Sequence, residues 1–441
     1  MKCYFYTFGC KVNTCETAGM EHLLKENGFE TTESPTDADI AVINSCTVTA
    51  SGDSRVLSMI EKLKRNAPDI IIVLTGCFVQ AFPEKAASLK NADIVIGTKD
   101  RSKLPLLLKE YIERKEKLCC VSEYERKDEF ELLRCDSYSK NTRAFLKIQD
   151  GCNCFCTYCI IPYARGRCRS MQLSDLSEAV RSLVKTGHSE IVLCGINLGF
   201  YGMEWDGSLL EAVKCAANEG AMRIRLGSLE PERITDELLK GLSEIPAFCP
   251  QFHLSLQSGS DTVLKRMNRR YTASEYESVC LRVRKYFPEC AITTDIMTGF
   301  PQETDEEFRE TYSFAEKIGF AKIHVFRYSQ RPGTVAAKMT GQVQEKVKTE
   351  RMRKLQQLGE VLQENYLKMQ AGRTVPVLFE REKGDGFHLG HAPDGTLVKV
   401  SEKNIKKSLR KSLLYVTIEE NDGACCYGRL AFAVCKSDVK E

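Results

Sequence analysis

The sequence predicts an α/β protein made of three parts: an N-terminal open parallel-sheet α/β domain, a central partial (β/α)6 barrel and a C-terminal small OB-like β-barrel. The first observation is that two successive stretches of chain alternate short β-type runs with polar, helix-period segments, as parallel sheets covered by helices do. The second is a change after residue 372 to short β-type runs broken by Gly, Asp and Pro. The third is that cysteines follow several of the predicted strands.

The domain boundaries follow from these changes in pattern. We predict an N-terminal domain in residues 1–117, a charged linker in 118–141, a barrel domain in 142–371 and a β-barrel in 372–437. The first domain has predicted strands at 2–8, 39–44, 69–75 and 93–96. The six barrel strands are predicted at 144–149, 190–194, 223–226, 251–256, 291–297 and 322–328. The last domain has β-type runs at 374–380, 387–391, 396–400, 413–419 and 427–433.

Composition narrows the class of protein. No stretch approaches the roughly 18 consecutive apolar residues that cross a bilayer, and the first residues do not resemble a signal peptide, so we expect a cytoplasmic protein without a membrane partner. The 21 cysteines then favour metal-bound thiolates in a reducing compartment over a disulfide framework. A net charge of +3 is too small to indicate nucleic-acid binding, which would depend on local basic patches.

A compact cysteine motif follows the first predicted barrel strand. Cys152, Cys156 and Cys159 have the spacing C-x3-C-x2-C. Three thiolates on one loop can bind three irons of a [4Fe–4S] cluster and leave the fourth iron open. The alternative is a closed tetrahedral zinc site, for which Cys154 or Cys168 would supply the fourth ligand.

This spacing resembles the defining motif of the radical S-adenosylmethionine (SAM) superfamily. The resemblance implies that the open iron chelates the amino and carboxylate groups of SAM, and that Tyr158 packs on its adenine. It also implies SAM contacts from residues at the ends of later strands. These are Gly195, Asn197, Ser228, Glu230, Gln257 and Asp295. The alternative is that Glu230 and Asp295 make ordinary ion pairs at strand ends, and that Gly195 serves a tight turn.

Three further cysteines are far apart in sequence but share a topological position. Cys10, Cys46 and Cys77 each follow the end of a predicted strand. The carboxyl ends of parallel strands line one crevice, so we expect the three thiols to converge there. They would hold a second [4Fe–4S] cluster with one open iron. The alternative is that they are small buried thiols that only pack at strand ends.

Basic residues at two places are candidates for RNA binding. The C-terminal barrel carries a basic run that would contact phosphates whatever the RNA sequence. It includes Lys403, Lys406, Lys407 and Arg410. Arg165 and Arg167 lie beside the central cysteine motif, where they could contact a substrate phosphate or the SAM carboxylate. In both places the alternative is an ordinary solvated surface.

Both halves together resemble the methylthiotransferase family over nearly the whole chain. The resemblance rests on the words GCKVN at 9–13 and SCTVT at 45–49, on Gly76-Cys77, and on residues 151–167. GCKVN is most similar to the branch that acts on N6-threonylcarbamoyladenosine beside the tRNA anticodon, whereas the isopentenyladenosine branch typically has GCQMN. The family resemblance implies two [4Fe–4S] clusters, SAM, a C-terminal RNA-binding domain of the TRAM type, and a small electron-transfer protein as reductant.

The resemblance also implies a reaction. One SAM would methylate a sulfur held at the first-domain cluster, and another would be cleaved to a 5′-deoxyadenosyl radical that abstracts hydrogen from adenine C2. Two other substrates remain open, isopentenyladenosine in tRNA and an aspartate of a ribosomal protein. A different class also remains open, a non-catalytic RNA-binding protein stabilised by metal. The oligomeric state is not predicted.

Overall fold

A computed structural model describes residues 1–135, 142–383, 386–405 and 407–431. The first domain is one sheet of six parallel strands in the order β2-β1-β3-β4-β5-β6. The strands are Lys2–Thr7 (β1), Glu30–Thr32 (β2), Ile40–Ser45 (β3), Ile71–Gly76 (β4), Ile94–Ile96 (β5) and Leu118–Cys120 (β6). The helices are Lys11–Glu26 (α1), Ala50–Asn66 (α2), Cys77–Ala81 (α3), Pro83–Ala87 (α4) and Leu104–Arg114 (α5).

Helices cover both faces of this sheet, which explains why its central strands are apolar throughout. Along β3, Ala41 and Ile43 belong to one hydrophobic cluster, and Ile40 and Val42 belong to the cluster on the opposite face. The sequence of a strand that is buried on both faces is a nearly continuous apolar run. Since all six strands are parallel, their carboxyl ends lie at the same edge of the sheet.

The range predicted as a linker is partly wrong, because it begins with a strand. Leu118 pairs with Ile94, so that β6 extends the first sheet at its edge. Only three residues form this edge strand, and charged residues flank it, so that its sequence lacks a clear strand pattern. Residues 136–141 of the predicted linker lie outside the described residues.

The second domain contains the six predicted parallel strands and two short additional ones. They form two sheets, β10-β9-β7-β8 and β11-β12-β13-β14, which meet at a bridge between Ile224 and Phe248. The strands are Arg143–Asp150 (β7), Arg169–Ser170 (β8), Glu190–Gly195 (β9), Arg223–Leu226 (β10), Ser228–Leu229 (β11), Gln251–Leu254 (β12), Ala291–Thr298 (β13) and Lys322–Arg327 (β14). The barrel is therefore partial, as predicted.

Nine helices are described in this domain, most of them on the outside of the barrel. Capping boxes begin three of them, with a Ser or Thr hydroxyl and a Glu three residues later. The helices are Ile161–Arg165 (α6), Leu173–Lys185 (α7), Leu209–Asn218 (α8), Asp236–Ser243 (α9), Asp261–Arg266 (α10), Ala273–Tyr286 (α11), Asp305–Ile318 (α12), Val335–Lys338 (α13) and Glu345–Lys368 (α14).

Side chains alternate between the helices and the lumen of the partial barrel. Residues such as Leu146, Leu193 and Ile224 pack in the hydrophobic core beneath the helices. The intervening residues of each strand point the other way, into the lumen. The lumen is strongly polar, and its side chains include Lys147, Gln149, Glu190, Cys194, Arg225, His253, Asp295, Lys322 and His324.

The C-terminal part is a closed five-stranded barrel in the order β15-β16-β17-β19-β18. Its strands are Thr374–Lys383 (β15), Phe387–His391 (β16), Leu397–Ser401 (β17), Leu413–Asn421 (β18) and Cys426–Leu430 (β19). Arg223 donates to the carbonyl of Ala392 at 3.0 Å and Arg225 to that of Pro393 at 2.9 Å. A turn of this barrel therefore closes the amino end of the lumen. The predicted fold class is confirmed in all three parts. None of the helices in the described ranges combines the length and the apolar composition that a membrane span needs.

A buried ion network joins the first domain to the partial barrel. The Glu16 carboxylate, on α1, lies 2.9 Å from Arg101 of its own domain and 3.0 Å from Lys147 on β7. It also pairs with Arg165, which follows the central cysteine motif. Asp150 lies 3.1 Å from Lys147 and supplies the second carboxylate. Burial alone would raise the pKa of Glu16, but Arg101, Arg165 and Lys147 together lower it to about 2.

We predict that Glu16→Gln lowers the free energy of unfolding by about 3 kcal/mol, because it leaves three buried cations short of one carboxylate. Urea unfolding followed by circular dichroism measures this difference. The Glu16 carboxylate stays ionised when folded, so the difference is complete above pH 4.5. It disappears as the pH falls towards the folded-state pKa of about 2.

Glu113→Gln, at an exposed position on α5, removes the same charge without touching the network and is the control. Equal stability of the two variants at neutral pH would contradict a structural role for Glu16.

Candidate active site between the two α/β parts

The three dispersed cysteines meet at the carboxyl edge of the first sheet. Cys10 caps α1 directly after β1, Cys46 follows β3, and Cys77 opens α3 directly after β4. The three strands are neighbours in the sheet, so that the three cysteines follow one another along its edge. The structure thus brings together the three residues that the strand-end pattern singled out.

Glycines before these cysteines permit the close approach. A Cβ atom on Gly9 would lie 2.9 Å from Cβ of Cys46, and one on Gly76 would lie 2.3 Å from the carbonyl oxygen of Ser45. Both glycines also have positive φ angles, which side chains rarely tolerate. Burial raises the pKa of Cys46 to about 12, so that metal binding there must displace a proton.

Cys152, Cys156 and Cys159 lie on one loop that begins where β7 ends. The amide of Cys159 donates to the carbonyl of Cys156 at 2.9 Å, which folds the loop back on itself. Thr157 anchors the loop from outside through bonds to the carbonyls of Arg266 and Met267. A hydrogen bond from Cys154 lowers the pKa of Cys152 to about 6, whereas burial raises that of Cys159 to about 12.

The predicted SAM-binding residues fall into two groups around this loop. In the first group, the Asn197 amide group lies 3.6 Å from the Cys152 sulfur, and the Asn197 backbone amide donates to Gln149 at 2.7 Å. Gly195 lies against Gln149, where a Cβ would come within 2.8 Å of its side chain. Ser228 is exposed on β11.

The second group surrounds an arginine that the sequence analysis missed. Glu230 pairs with Arg269, and Arg269 also donates to the sulfur of Cys156 at 3.5 Å. Asp295 lies 3.2 Å from His253, and its carbonyl accepts from the amide of Gln257 at 2.8 Å. Glu230 and Asp295 therefore have ion-pair partners in this structure, and their contacts with SAM remain predictions. No sequence motif marks Arg269, which lies 39 residues from Glu230.

A cavity of about 200 Å³ lies between the central cysteine loop and the first domain. Tyr158, Cys159 and Asp295 line it from the barrel, and Val48 and Thr49, just after Cys46, line it from the first domain. The ring of Tyr158 also packs edge-on against Phe300, with ring centres 6.4 Å apart. Of the six candidate ligands, Cys159 lines the cavity, and the first domain reaches it through the residues that follow Cys46.

The prediction that Arg165 contacts RNA is wrong, because Arg165 is fully buried. Its Nε donates to the sulfur of Cys77 at 3.2 Å, and its Nη2 donates to Glu16 at 3.0 Å. Sequence alone placed Arg165 beside the cysteine motif but could not show that the first domain covers it. Arg167 is exposed.

Lys11 is a second residue that the sequence analysis missed. It is the first residue of α1, next to Cys10, and it is accessible to solvent. The surrounding protein nevertheless lowers the pKa of Lys11, chiefly by desolvation. In the sequence, only its position next to Cys10, a predicted cluster ligand, distinguishes Lys11 from other lysines.

The two groups of three cysteines are suitable ligands for iron–sulfur clusters. Thiolate is the usual cluster ligand, and each site offers three thiols from ordered positions. In the part of the chain that the structure describes, no three Cys, His, Asp or Glu side chains converge on the position of a single metal ion. Cluster thiolates need not converge in this way, since each binds a different iron.

The basic residues of the C-terminal barrel are on its surface. Lys403, Lys407 and Arg410 are exposed, at or after the end of β17. Lys406 lies outside the described residues. These positions are compatible with contacts to phosphates, and RNA binding there remains a prediction.

Family models and a solved structure both show similarity to this chain. The family model of the radical SAM superfamily matches residues 146–315, and that of the uncharacterized protein family UPF0004 matches residues 2–97. Among solved structures, the radical SAM methyltransferase TsrM from Kitasatospora setae has a TM-score of 0.57 at 13% identity, covering 76% of this chain and 74% of TsrM. Similarity at that identity shows the fold alone. The chain is therefore a radical SAM protein, and that class uses SAM and a [4Fe–4S] cluster.

Curated relatives define the family further. The threonylcarbamoyladenosine tRNA methylthiotransferase MtaB of Bacillus subtilis is 37% identical, and the alignment covers 95% of each chain. MtaB of Aquifex aeolicus is 39% identical over 87% of this chain and 93% of its own. The tRNA-2-methylthio-N(6)-dimethylallyladenosine synthase of Clostridium novyi is 36% identical over 90% of this chain and 89% of its own. The chain belongs to the methylthiotransferase family, and the resemblance seen in its motifs is confirmed. The non-catalytic alternative is thereby excluded.

We predict that Gly151→Ala prevents iron binding at the central loop, because the new Cβ would lie 1.9 Å from the carbonyl oxygen of Arg167. Iron analysis after anaerobic reconstitution should show a loss of about four irons per chain. Gly187→Ala is the matched control, since Gly187 also has a positive φ but has no heavy atom within 4 Å of the added Cβ. It should cost about 1 kcal/mol of stability and retain all iron. Full iron content in Gly151→Ala would show that the loop tolerates the change.

Proposed function

We propose that this protein converts N6-threonylcarbamoyladenosine to its 2-methylthio derivative at position 37 of tRNA, next to the anticodon. The observation that carries the proposal is a cavity lined by Cys159 of the central loop and, from the first domain, by the two residues Val48 and Thr49 that closely follow Cys46. Generation of a radical and insertion of sulfur need two sites that share one substrate. Relatives that bear this activity in their names cover 95% and 87% of the chain.

We assign the radical-forming cluster to Cys152, Cys156 and Cys159, and a second [4Fe–4S] cluster to Cys10, Cys46 and Cys77. When bound, the clusters and SAM supply the 5′-deoxyadenosyl radical and the methylated sulfur. The chain itself holds these groups in fixed positions. Arg165 donates to Cys77 and Arg269 to Cys156, so that each proposed site has a cation beside one of its sulfurs. Hydrogen bonds to the sulfurs tune the reduction potential of a cluster.

The residues between the clusters orient the reactants. Asn197, Glu230, Gln257 and Asp295 are the proposed SAM-binding residues of this chain, together with Tyr158, Gly195 and Ser228. Val48 and Phe326 line the cavity and are exposed apolar side chains at its rim. They offer a surface against which a nucleobase can pack once it has left the stack of the anticodon loop.

The reaction needs an electron donor, and we propose a small electron-transfer protein in the cytoplasm. Phe155, inside the central cysteine loop, is exposed and contacts the exposed ring of Tyr163 edge-on, with ring centres 6.5 Å apart. The loop therefore reaches the surface of the protein. A docked donor would approach the radical-forming cluster there without entering the substrate cavity.

The C-terminal barrel is proposed to be an RNA-binding domain of the TRAM type, in residues 372–437. Its exposed cations, with the exposed Arg167 that follows the central cysteine loop, would hold the phosphates of the anticodon loop. Because the barrel closes the amino end of the lumen through Arg223 and Arg225, its orientation to the active site is fixed. Fixed orientation allows phosphate contacts to place one nucleotide at the cavity.

Two sister substrates compete with this proposal, isopentenyladenosine in tRNA and an aspartate of a ribosomal protein. Mass spectrometry of tRNA nucleosides from a strain with and without the gene distinguishes them. Loss of 2-methylthio-N6-threonylcarbamoyladenosine alone supports the proposal. An unchanged level of this nucleoside would refute it.

We predict that Cys156→Ala abolishes formation of 5′-deoxyadenosine, because it removes a ligand of the radical-forming cluster. Cys46→Ala should retain 5′-deoxyadenosine formation and yield no methylthiolated RNA, because only sulfur delivery is lost. Both products are measured by liquid chromatography and mass spectrometry after anaerobic reconstitution.

Two cysteines away from the proposed clusters serve as matched controls, one in each domain. Cys119→Ala, on the edge of the first sheet, and Cys215→Ala, on α8, should leave both products unchanged. Methylthiolated RNA from Cys46→Ala would contradict the second cluster site.

We predict that replacing Lys403, Lys407 and Arg410 together by Gln weakens tRNA binding about tenfold or more at moderate salt. The slope of log Kd against log salt should fall by about 2 to 3, since three phosphate contacts are lost. Fluorescence anisotropy with labelled tRNA measures both quantities. The matched control replaces three exposed lysines on the outer helices of the partial barrel, Lys185, Lys214 and Lys240. An equal change in both triple variants would indicate a general charge effect and not a binding surface.

A further inference from the structure

A second buried contact joins the first domain to the partial barrel, near the end of β14. Arg331 lies shortly after this strand and is 2% exposed. Its Nη2 donates to Oδ2 of Asp53 at 2.7 Å and also to the hydroxyl of Thr47. The Thr47 hydroxyl in turn donates to Oδ1 of Asp53 at 2.8 Å. Arg331 of the partial barrel thus closes a ring of hydrogen bonds with two residues of the first domain.

The same segment of the partial barrel also holds the backbone that follows Thr47. The amide of Ala50 donates to the hydroxyl of Ser329 at 3.1 Å. Thr47 and Ala50 flank Val48 and Thr49, the two residues through which the first domain lines the cavity beside Cys159. Contacts on both flanks therefore fix this wall of the cavity.

The Asp53 carboxylate depends on Arg331 for its charge balance. Asp53 is 8% exposed, and within the described ranges Arg331 is its only ion-pair partner. A buried carboxylate that loses its partner is costly, so this pair favours one placement of the two segments. Cys46 immediately precedes Thr47. A contact across 278 positions of the chain therefore holds the residue next to a proposed cluster ligand.

We propose that Arg331 is a positioning residue for sulfur insertion. It holds the segment 46–49 against the end of β14, and so fixes the first-domain thiols relative to the cavity. Radical formation and sulfur insertion have to meet at one carbon of the substrate, and a displacement of about 1 Å can slow such a step about a hundredfold. Without Arg331, radicals would still form, but fewer of them would lead to a methylthio group. This inference rests on the proposed function and on the second cluster site.

The test uses Arg331→Met in the full chain with both clusters reconstituted, because methionine fills much of the same space and donates no hydrogen bond. The substrate is an anticodon stem-loop with N6-threonylcarbamoyladenosine at position 37. The ratio of methylthiolated RNA to 5′-deoxyadenosine should fall about tenfold. Iron content should stay at about eight per chain. Hydrogen–deuterium exchange should become faster in the peptide that spans residues 46–53 and stay unchanged in the strands of the first sheet.

Two milder variants serve the same test if Arg331→Met does not fold. Thr47→Val is nearly isosteric and removes one of the two acceptors of Arg331. Arg331→Lys keeps a positive charge beside Asp53 but lacks the planar fork that reaches both acceptors. Each should lower the ratio by a smaller factor, with full iron content.

Arg351→Met is the matched control. Arg351 is a buried arginine that donates to Glu303 and to Asp305, both at 2.7 Å, and all three residues belong to the partial barrel. Its loss should lower stability and leave the ratio unchanged.

A wild-type ratio in Arg331→Met and in Thr47→Val overturns the inference. An equal fall of the ratio in Arg351→Met also overturns it, since that result indicates general destabilisation. So does a loss of about four irons in Arg331→Met, because Arg331 would then be needed for folding of the cluster site and not for its position. Wild-type protein that forms 5′-deoxyadenosine but no methylthiolated RNA contradicts the proposed function itself.

Discussion

The buried pairing of Glu16 with Arg165 is the constraint on which the arrangement of the active site depends. Glu16 belongs to the helix that begins beside Cys10, and Arg165 belongs to the segment that follows the central cysteine loop. The same guanidinium donates to the sulfur of Cys77. One side chain thus links both cysteine groups. Buried charges are costly unless they are paired, so the two domains have one favourable orientation, in which the network is complete.

A second consequence of this orientation is the shape of the reaction space. The partial barrel has open edges at β8 and β14, and the C-terminal barrel closes the amino end of its lumen. The cavity beside Cys159 lies where the partial barrel meets the first domain. Radical chemistry requires an enclosed site, and this contact between the domains provides it.

Much of the fold followed from local patterns, since alternating apolar runs and helix-period segments located all six barrel strands. Cys10, Cys46 and Cys77 could be grouped because parallel strands end at one edge of a sheet, a rule that needs no tertiary contact. The remainder could not be predicted, because it depends on partners far apart in sequence. Arg165 contacts Glu16 across 149 residues, and burial turned an apparent surface charge into an internal one. Arg269 was missed for the same reason, since its partner Glu230 lies 39 residues away.

The most direct test of two clusters in this one chain is iron and sulfide analysis of the anaerobically reconstituted full chain. It is paired with the same analysis of a variant in which Cys10, Cys46 and Cys77 are all replaced by Ala. Two [4Fe–4S] clusters predict about eight irons for the wild-type protein and about four for the variant, which should still cleave SAM. About four irons in both proteins would contradict the account, because the strand-end thiols would then hold no cluster.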